Sequence, residues 1–200
     1  KQREESRMAE IYDVAIRLTE PMLGTVPYSK DVYARFIETK KPEGTEGNET
    51  ETVQELEEKG WTGFHKDDGG IFIYDYVVKG FLKYAGNTLK DTLEIKNFKA
   101  KIGDYFFVFP RRLYPCPTKD KADGILERPL RCQTMQGPRV TVTRSDYLVA
   151  GTEFFFQVHI LKPEFIKYLR PLLDYGAYQG LGQWRNGGYG RFKVVSITQL

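Results

Sequence analysis

The sequence predicts an α+β fold, and three observations carry that prediction. The stretch "EIYDVAIRLTE" alternates apolar and polar residues with the period of a half-buried strand. Near the other end, "KPEFIKYLRPLLDYGAY" spaces its apolar residues as an amphipathic helix does. Between them, Tyr and Phe are abundant at 13 each, and strands favour aromatics. A chain of 200 residues with 40% hydrophobic residues suits one domain with elaborations or two small ones, and we read it as one over 10–200.

Taken in order, the first strand runs from about residue 10 to 19 and stops before Pro21. Ser29–Lys40 opens on a capping Ser or Asp and places Val32, Phe36 and Ile37 on one face, which predicts a helix. "KPEGTEGNETETVQELEEKG" is acidic and polar, and reads as a flexible insertion over 41–60 with a short helix near 52–59. A turn at Asp67-Asp68-Gly69-Gly70 leads into a strand over 71–74. "VVKGFLKYAGNTL" predicts a helix entered near Val78, with Gly80 in its first turn and Phe81, Leu82 and Ala85 inward.

"FKAKIGDYFFVFPRRLYP" reads as one or two strands with a turn at Gly103-Asp104. A polar connection follows over about 115–130. Strands are then expected over 139–144 and 152–161, the second with the weaker alternation of a strand covered on both faces. The helix from Pro163, with Phe165, Ile166, Leu169 and Leu172/Leu173 inward, leads through a glycine-rich loop to a last strand, "RFKVVSI". The N-terminal βα and the C-terminal βα-β resemble a split βαβ arrangement.

Charge is distributed unevenly. Ten acidic residues face four lysines over 38–68, whereas ten Lys/Arg face five Asp/Glu over 125–200, so an anionic ligand is expected at the C-terminal part. Cys116 and Cys132 sit in no metal-binding spacing and read as reduced thiols, with a disulfide between them as the alternative. No apolar run approaches membrane-spanning length and no secretory h-region is present, so a cytoplasmic location is expected.

The loop "GLGQWRNGGYGRFKV" carries the sharpest functional signal. It joins a helix to a strand, the reverse of a dinucleotide fingerprint or a Walker loop, and no GK[ST] follows. A tight αβ connection needs one or two glycines, and this loop holds five, at 180, 182, 187, 188 and 190. Bared backbone with Trp184, Arg185, Asn186, Tyr189 and Arg191 suits phosphates and stacked bases. Lys79 and Lys83, at i and i+4, and the strand arginines Arg139 and Arg144, with Arg131 before them, are further phosphate candidates.

Together these stretches resemble the RAMP superfamily, the RNA-binding proteins of CRISPR systems built on ferredoxin-like (RRM-like) domains. The resemblance lies in Gly180, Gly182, Gly188 and Gly190 followed by Arg191 and Phe192, in Lys79-Gly80 of "VVKGFLK", and in "PRVTVTRSDYLVAGTEFFFQVHIL". The family's usual "PGSS" before the Lys-Gly pair is replaced by "YDYV". It implies an antiparallel sheet with helices on one face plus insertions, and a glycine loop that contacts an RNA backbone in a groove shared with Lys79 and the arginines. It further implies single-stranded RNA or an RNA–protein complex as partner, with other CRISPR-type subunits, in a host system or in a phage- or prophage-encoded relative. No cofactor is expected.

Two other readings stay open. His65, with Lys79, has the residue types for metal-independent RNA cleavage by general acid–base chemistry, although a lone His beside a turn is usually a loop residue. The acidic segment 43–58 has the charge of a nucleic-acid mimic, which would suit an anti-CRISPR-like interaction factor. Asp67 and Asp68 are weighed as metal ligands, but DDGG is also a plain turn signature, and no metal is expected. His159, in an apolar strand, reads as a core or sheet-face residue.

Overall fold

The structure, a computed structural model, describes residues 9–28, 61–134 and 137–200, with the side chains of 130–139 and 141 left out. The helices expected over 29–40 and 52–59 and the insertion over 41–60 lie outside the described residues. In chain order come β1 (Glu10–Leu18), β2 (Met22–Leu23), β3 (Val26–Pro27), β4 (Trp61–Gly63), β5 (His65–Asp67) and β6 (Gly70–Tyr74). Helices α1 (Asp75–Leu89) and α2 (Phe98–Tyr105) follow, then β7 (Phe106–Phe109), β8 (Arg112–Leu113) and β9 (Pro115–Cys116). The chain continues through β10 (Gly124–Thr134), β11 (Gly137–Leu148), β12 (Glu153–Ile160), α3 (Leu169–Asp174) and β13 (Phe192–Gln199).

The fold class is α+β, as expected. The principal sheet has the order β13-β1-β12-β7, with β9 also on β12, and every pairing in it is antiparallel. The path from β1 through α1 and α2 to β7 skips the position that β12 fills. The path from β12 through α3 to β13 skips the one that β1 fills. Two split βαβ units are thus interleaved in one sheet.

Period two decides which face is buried. Val14, Ile16, Phe154, Phe156, Val158 and Val108 point into the core with Phe81 and Leu82 of α1 and Leu172 of α3. Phe81, Phe98, Phe106, Phe154 and Phe192 are among the largest fully buried side chains, and truncating any of them to Ala costs about 3–5 kcal/mol. The other face is open. Phe107, Phe109 and Phe155 are exposed there, and His159 packs its ring against Phe109 at 4.5 Å. β12 is therefore covered on one face and not on both, because the helices of the two βαβ units lie on the same side.

Three local expectations change. Helix α1 starts at Asp75, not near Val78, since Asp75 in the first turn complements the positive end of the helix. Residues 98–105 are helical and not a strand with a turn at Gly103. Phe98 and Ile102 bury one turn apart against α1, and Ile102 fills the space left by Gly86, where a Cβ would stand 2.1 Å from it. The polar connection ends at Asp123, because β10 begins at Gly124 and pairs with β11 along its whole length. Pro129 is tolerated in β10 because that strand is the edge of the second sheet, β10-β11-β4-β3.

Cys116 is a free, exposed thiol, and the Cys132 side chain is not among those described. No helix among the described residues is long and apolar enough to cross a membrane.

Candidate nucleic-acid interface

Helix α1 buries Val78, Phe81, Leu82 and Ala85, and turns a second stripe outward. Tyr76, Gly80 and Tyr84 stand on that stripe at successive steps of four residues. Opposite them runs the loop between α3 and β13. Between these walls lies a groove of about 680 Å³. Gly180, Leu181, Gly182 and Arg185 form the loop wall, Thr25–Pro27 and His65 close one side, and Lys99 reaches in from α2.

The loop is held in place by its own contacts. Leu181 N–H donates to the Gly190 carbonyl at 2.9 Å and Gly190 N–H to the Pro21 carbonyl at 2.8 Å. The chain crosses itself closely here. A Cβ on Gly180 would stand 2.1 Å from the Gly190 carbonyl carbon, and one on Gly190, at φ +71°, would stand 1.9 Å from the Leu181 oxygen. These two glycines serve the loop's closure, a use that the glycine count alone did not reveal.

Gln183 ties the loop to the second sheet. Its side-chain oxygen lies 3.0 Å from the hydroxyls of Thr62 and Ser145, and Arg128 Nη2 donates to it at 3.2 Å. Its backbone N–H donates to the Leu23 carbonyl at 3.2 Å.

The expected site residues do not all meet in one place. Lys83, Gly180, Gly182 and Arg185 meet in the groove, where the Arg185 guanidinium lies over the Tyr84 ring at 5.3 Å. Trp184 and Tyr189 stack on each other at 5.2 Å, and Arg128 covers Trp184 at 4.6 Å. Gly188, Tyr189 and Arg191 line a separate small hollow with Glu20 and Pro21, and Asn186 is exposed in the 3-10 turn Arg185–Gly187. Arg144 pairs with Glu127 at 2.9 Å outside the groove lining, and the side chains of Arg131 and Arg139 are not among those described.

Lys79 goes elsewhere. Its ammonium donates to the carbonyls of Ile102 at 3.0 Å and Gly103 at 2.9 Å, and to that of Phe106, closing the C-terminal end of α2. Burial, and then the neighbouring charge of Lys83, push its pKa down. It does not line the groove with Lys83, so it stands apart from His65 as well.

His65 does line the groove, stacked on Phe72 at 5.5 Å and edge-on to Tyr74 at 4.6 Å, and burial lowers its pKa. Asp67 accepts from Tyr114 at 2.7 Å, from Arg112 at 2.5 Å and from the Gly69 amide at 2.8 Å, which commits its carboxylate to the β5–β6 hairpin and its neighbours.

Sequence reasoning passed over Tyr74, Tyr76, Tyr84 and Lys99. The spacing of eight between Tyr76 and Tyr84, two steps of four along one helix face, was the available signal, and Gly80 midway between them obscured it. A second hollow, of about 620 Å³, lies over the open sheet face between Ile11, Phe107, Phe109 and His159, and among the described residues no Asp, Glu, Lys or Arg lines it.

By sequence, no family model and no curated protein matches the chain. In fold it is similar to a chain of the "Cryo-EM structure of the Type III-B Cmr-beta bound to cognate target RNA", with a TM-score of 0.54 and 13% identity. The match covers 96% of this chain and 61% of that one, so the present chain spans less than two thirds of its neighbour's length.

Proposed function

We propose that the chain binds single-stranded RNA in the groove between α1 and the glycine loop, as one subunit of a CRISPR-type ribonucleoprotein. One observation carries the reading. Among the described residues the groove is lined by Lys83, Lys99 and Arg185 and by no Asp or Glu, among aromatic side chains. A cationic, aromatic channel suits the phosphates and exposed bases of a single strand. The neighbour whose fold the chain shares is a component of a complex described as bound to target RNA, which points to RNA as the strand and to other subunits as partners.

Binding is favoured over cleavage. His65 reaches the groove, but the lysine expected beside it is spent on α2. Titrating a labelled single-stranded RNA against salt tests the reading. Lys83→Ala and Arg185→Ala should each weaken binding and reduce the slope of log K against log salt by about 0.7. Affinity and slope unchanged in both variants would refute it.

A further inference from the structure

We infer that the notch at Gly80, between Tyr76 and Tyr84 on α1, seats an unstacked nucleobase of the bound strand. The inference rests on the RNA-binding reading above and names the part of the ligand that the groove admits.

Gly80 is the sixth residue of a fifteen-residue helix, where glycine is the poorest choice after proline. Packing does not require it. Among the described residues a Cβ built there meets nothing within 4 Å, whereas one on Gly86 of the same helix would strike Ile102. Conformation does not require it either, because its φ lies outside the left-handed region. What the missing side chain leaves is bare helix backbone on the wall of the groove.

The flanking rings are exposed and braced. Tyr76 is 52% exposed and Tyr84 40%. Tyr76 stacks on Tyr74 at 5.4 Å, with the Arg111 guanidinium over both rings at 5.7 and 4.9 Å, and Arg111 is anchored on Asp75 at 2.7 Å. Tyr84 lies under Arg185 and beside Tyr175 at 6.3 Å. Rings already oriented lose little freedom when a planar group joins them. Their positions on the helix are about 12 Å apart along its axis, and the surface between them is glycine backbone. A flat, uncharged heterocycle matches this floor, while Lys83, Lys99 and Arg185 on the rim suit the phosphates on either side. A base held in a duplex is stacked and cannot enter, so the base must be unpaired.

The test combines stability, affinity and a base-level probe in the full chain. Gly80→Leu should raise the thermal midpoint by about 2–4 °C, because a helix former replaces glycine at an uncrowded site. The same variant should weaken single-stranded RNA binding at least tenfold, with Gly80→Ala weakening it less. A 2-aminopurine base in the strand should be quenched on binding to the wild type and remain bright with Gly80→Leu. A lowered midpoint for both variants would overturn the premise that nothing packs at Gly80. Binding and quenching that survive Gly80→Leu but not Arg185→Ala would overturn the notch and leave the RNA reading standing. Absence of binding by the wild type at low salt would overturn both. Displacement of the strand by an equal concentration of free mononucleotide would make the notch a mononucleotide site and refute its role in holding a strand.

Discussion

The Tyr28 hydroxyl donates to the Asp146 carboxylate at 2.6 Å, and Trp61 Nε1 donates to the other oxygen at 3.2 Å. One carboxylate on β11 therefore holds the chain on both sides of the 29–60 stretch. Tyr28→Phe should cost about 1 kcal/mol, read from urea unfolding. The same contact sets a pH dependence. Burial, and then the bond to Asp146, push the Tyr28 pKa from 10.0 to about 12. Because the folded value is the higher one, this contribution is complete below pH 10 and fades as pH climbs toward about 12. Unfolding curves at about pH 9 and about pH 11.5 should diverge for the wild type and run closer together for Tyr28→Phe.

Gly190→Ala should destabilise the protein by at least about 2 kcal/mol, since it combines a left-handed φ with a clash against backbone. Gly80→Ala should stabilise it by about 1 kcal/mol. Chemical denaturation of the two variants side by side reads both signs. Equal effects would mean that the loop does not cross itself as described.

Gln183→Leu removes the acceptor shared by Thr62, Ser145 and Arg128. Burial already pushes the Arg128 pKa down, and its Nη1 is buried with no hydrogen-bond partner among the described residues. Losing the Nη2 partner as well leaves a half-buried charge less satisfied, at a cost of about 1–3 kcal/mol. Equilibrium unfolding measures the loss, and Arg128→Met combined with Gln183→Leu should recover part of it. A double variant no more stable than Gln183→Leu would rule out Arg128 as the source of the cost.

Protonation of His65 should destabilise the fold. Burial lowers its pKa below 6.5, so the unfolded chain takes up the proton first as pH falls. Stability from this residue is level above that range and declines as pH drops through it. His65→Phe, which keeps a ring against Phe72 and Tyr74, should flatten the profile between about pH 7 and about pH 5. A wild-type profile already flat there would show that the ring is not held neutral.

The first and last strands were legible. β1 falls where alternation and Pro21 place a strand, at about 10–19, and β13 falls on "RFKVVSI" after the glycine loop. α2 was not, because its causes are distant in sequence. Gly103-Asp104 reads locally as a turn, while the helix depends on the gap at Gly86 and on the Lys79 ammonium more than twenty positions earlier. The same contact explains why Lys79, expected beside Lys83, does not line the groove with it. A lysine aligned with Lys83 on a helix reads as a partner for phosphate, and only the tertiary fold shows where it points. The glycine loop was legible as a feature but not in its reasons. Its closure at Gly180 and Gly190 and its tether at Gln183 pair residues that no spacing rule connects.

The Tyr28 amide donates to the Trp61 carbonyl at 3.0 Å, and Val26–Pro27 pairs with Thr62–Gly63. The residues just before and just after the 29–60 stretch are thus joined to each other, as at a single doorway. In evolutionary terms the doorway is a splice point. Sequence added, shortened or recharged between Tyr28 and Trp61 need not shift the stem that positions Thr25 to Pro27 along the groove. Exchanging the acidic sequence between these two points for one of different length and charge leaves every pairing of the stem as it is.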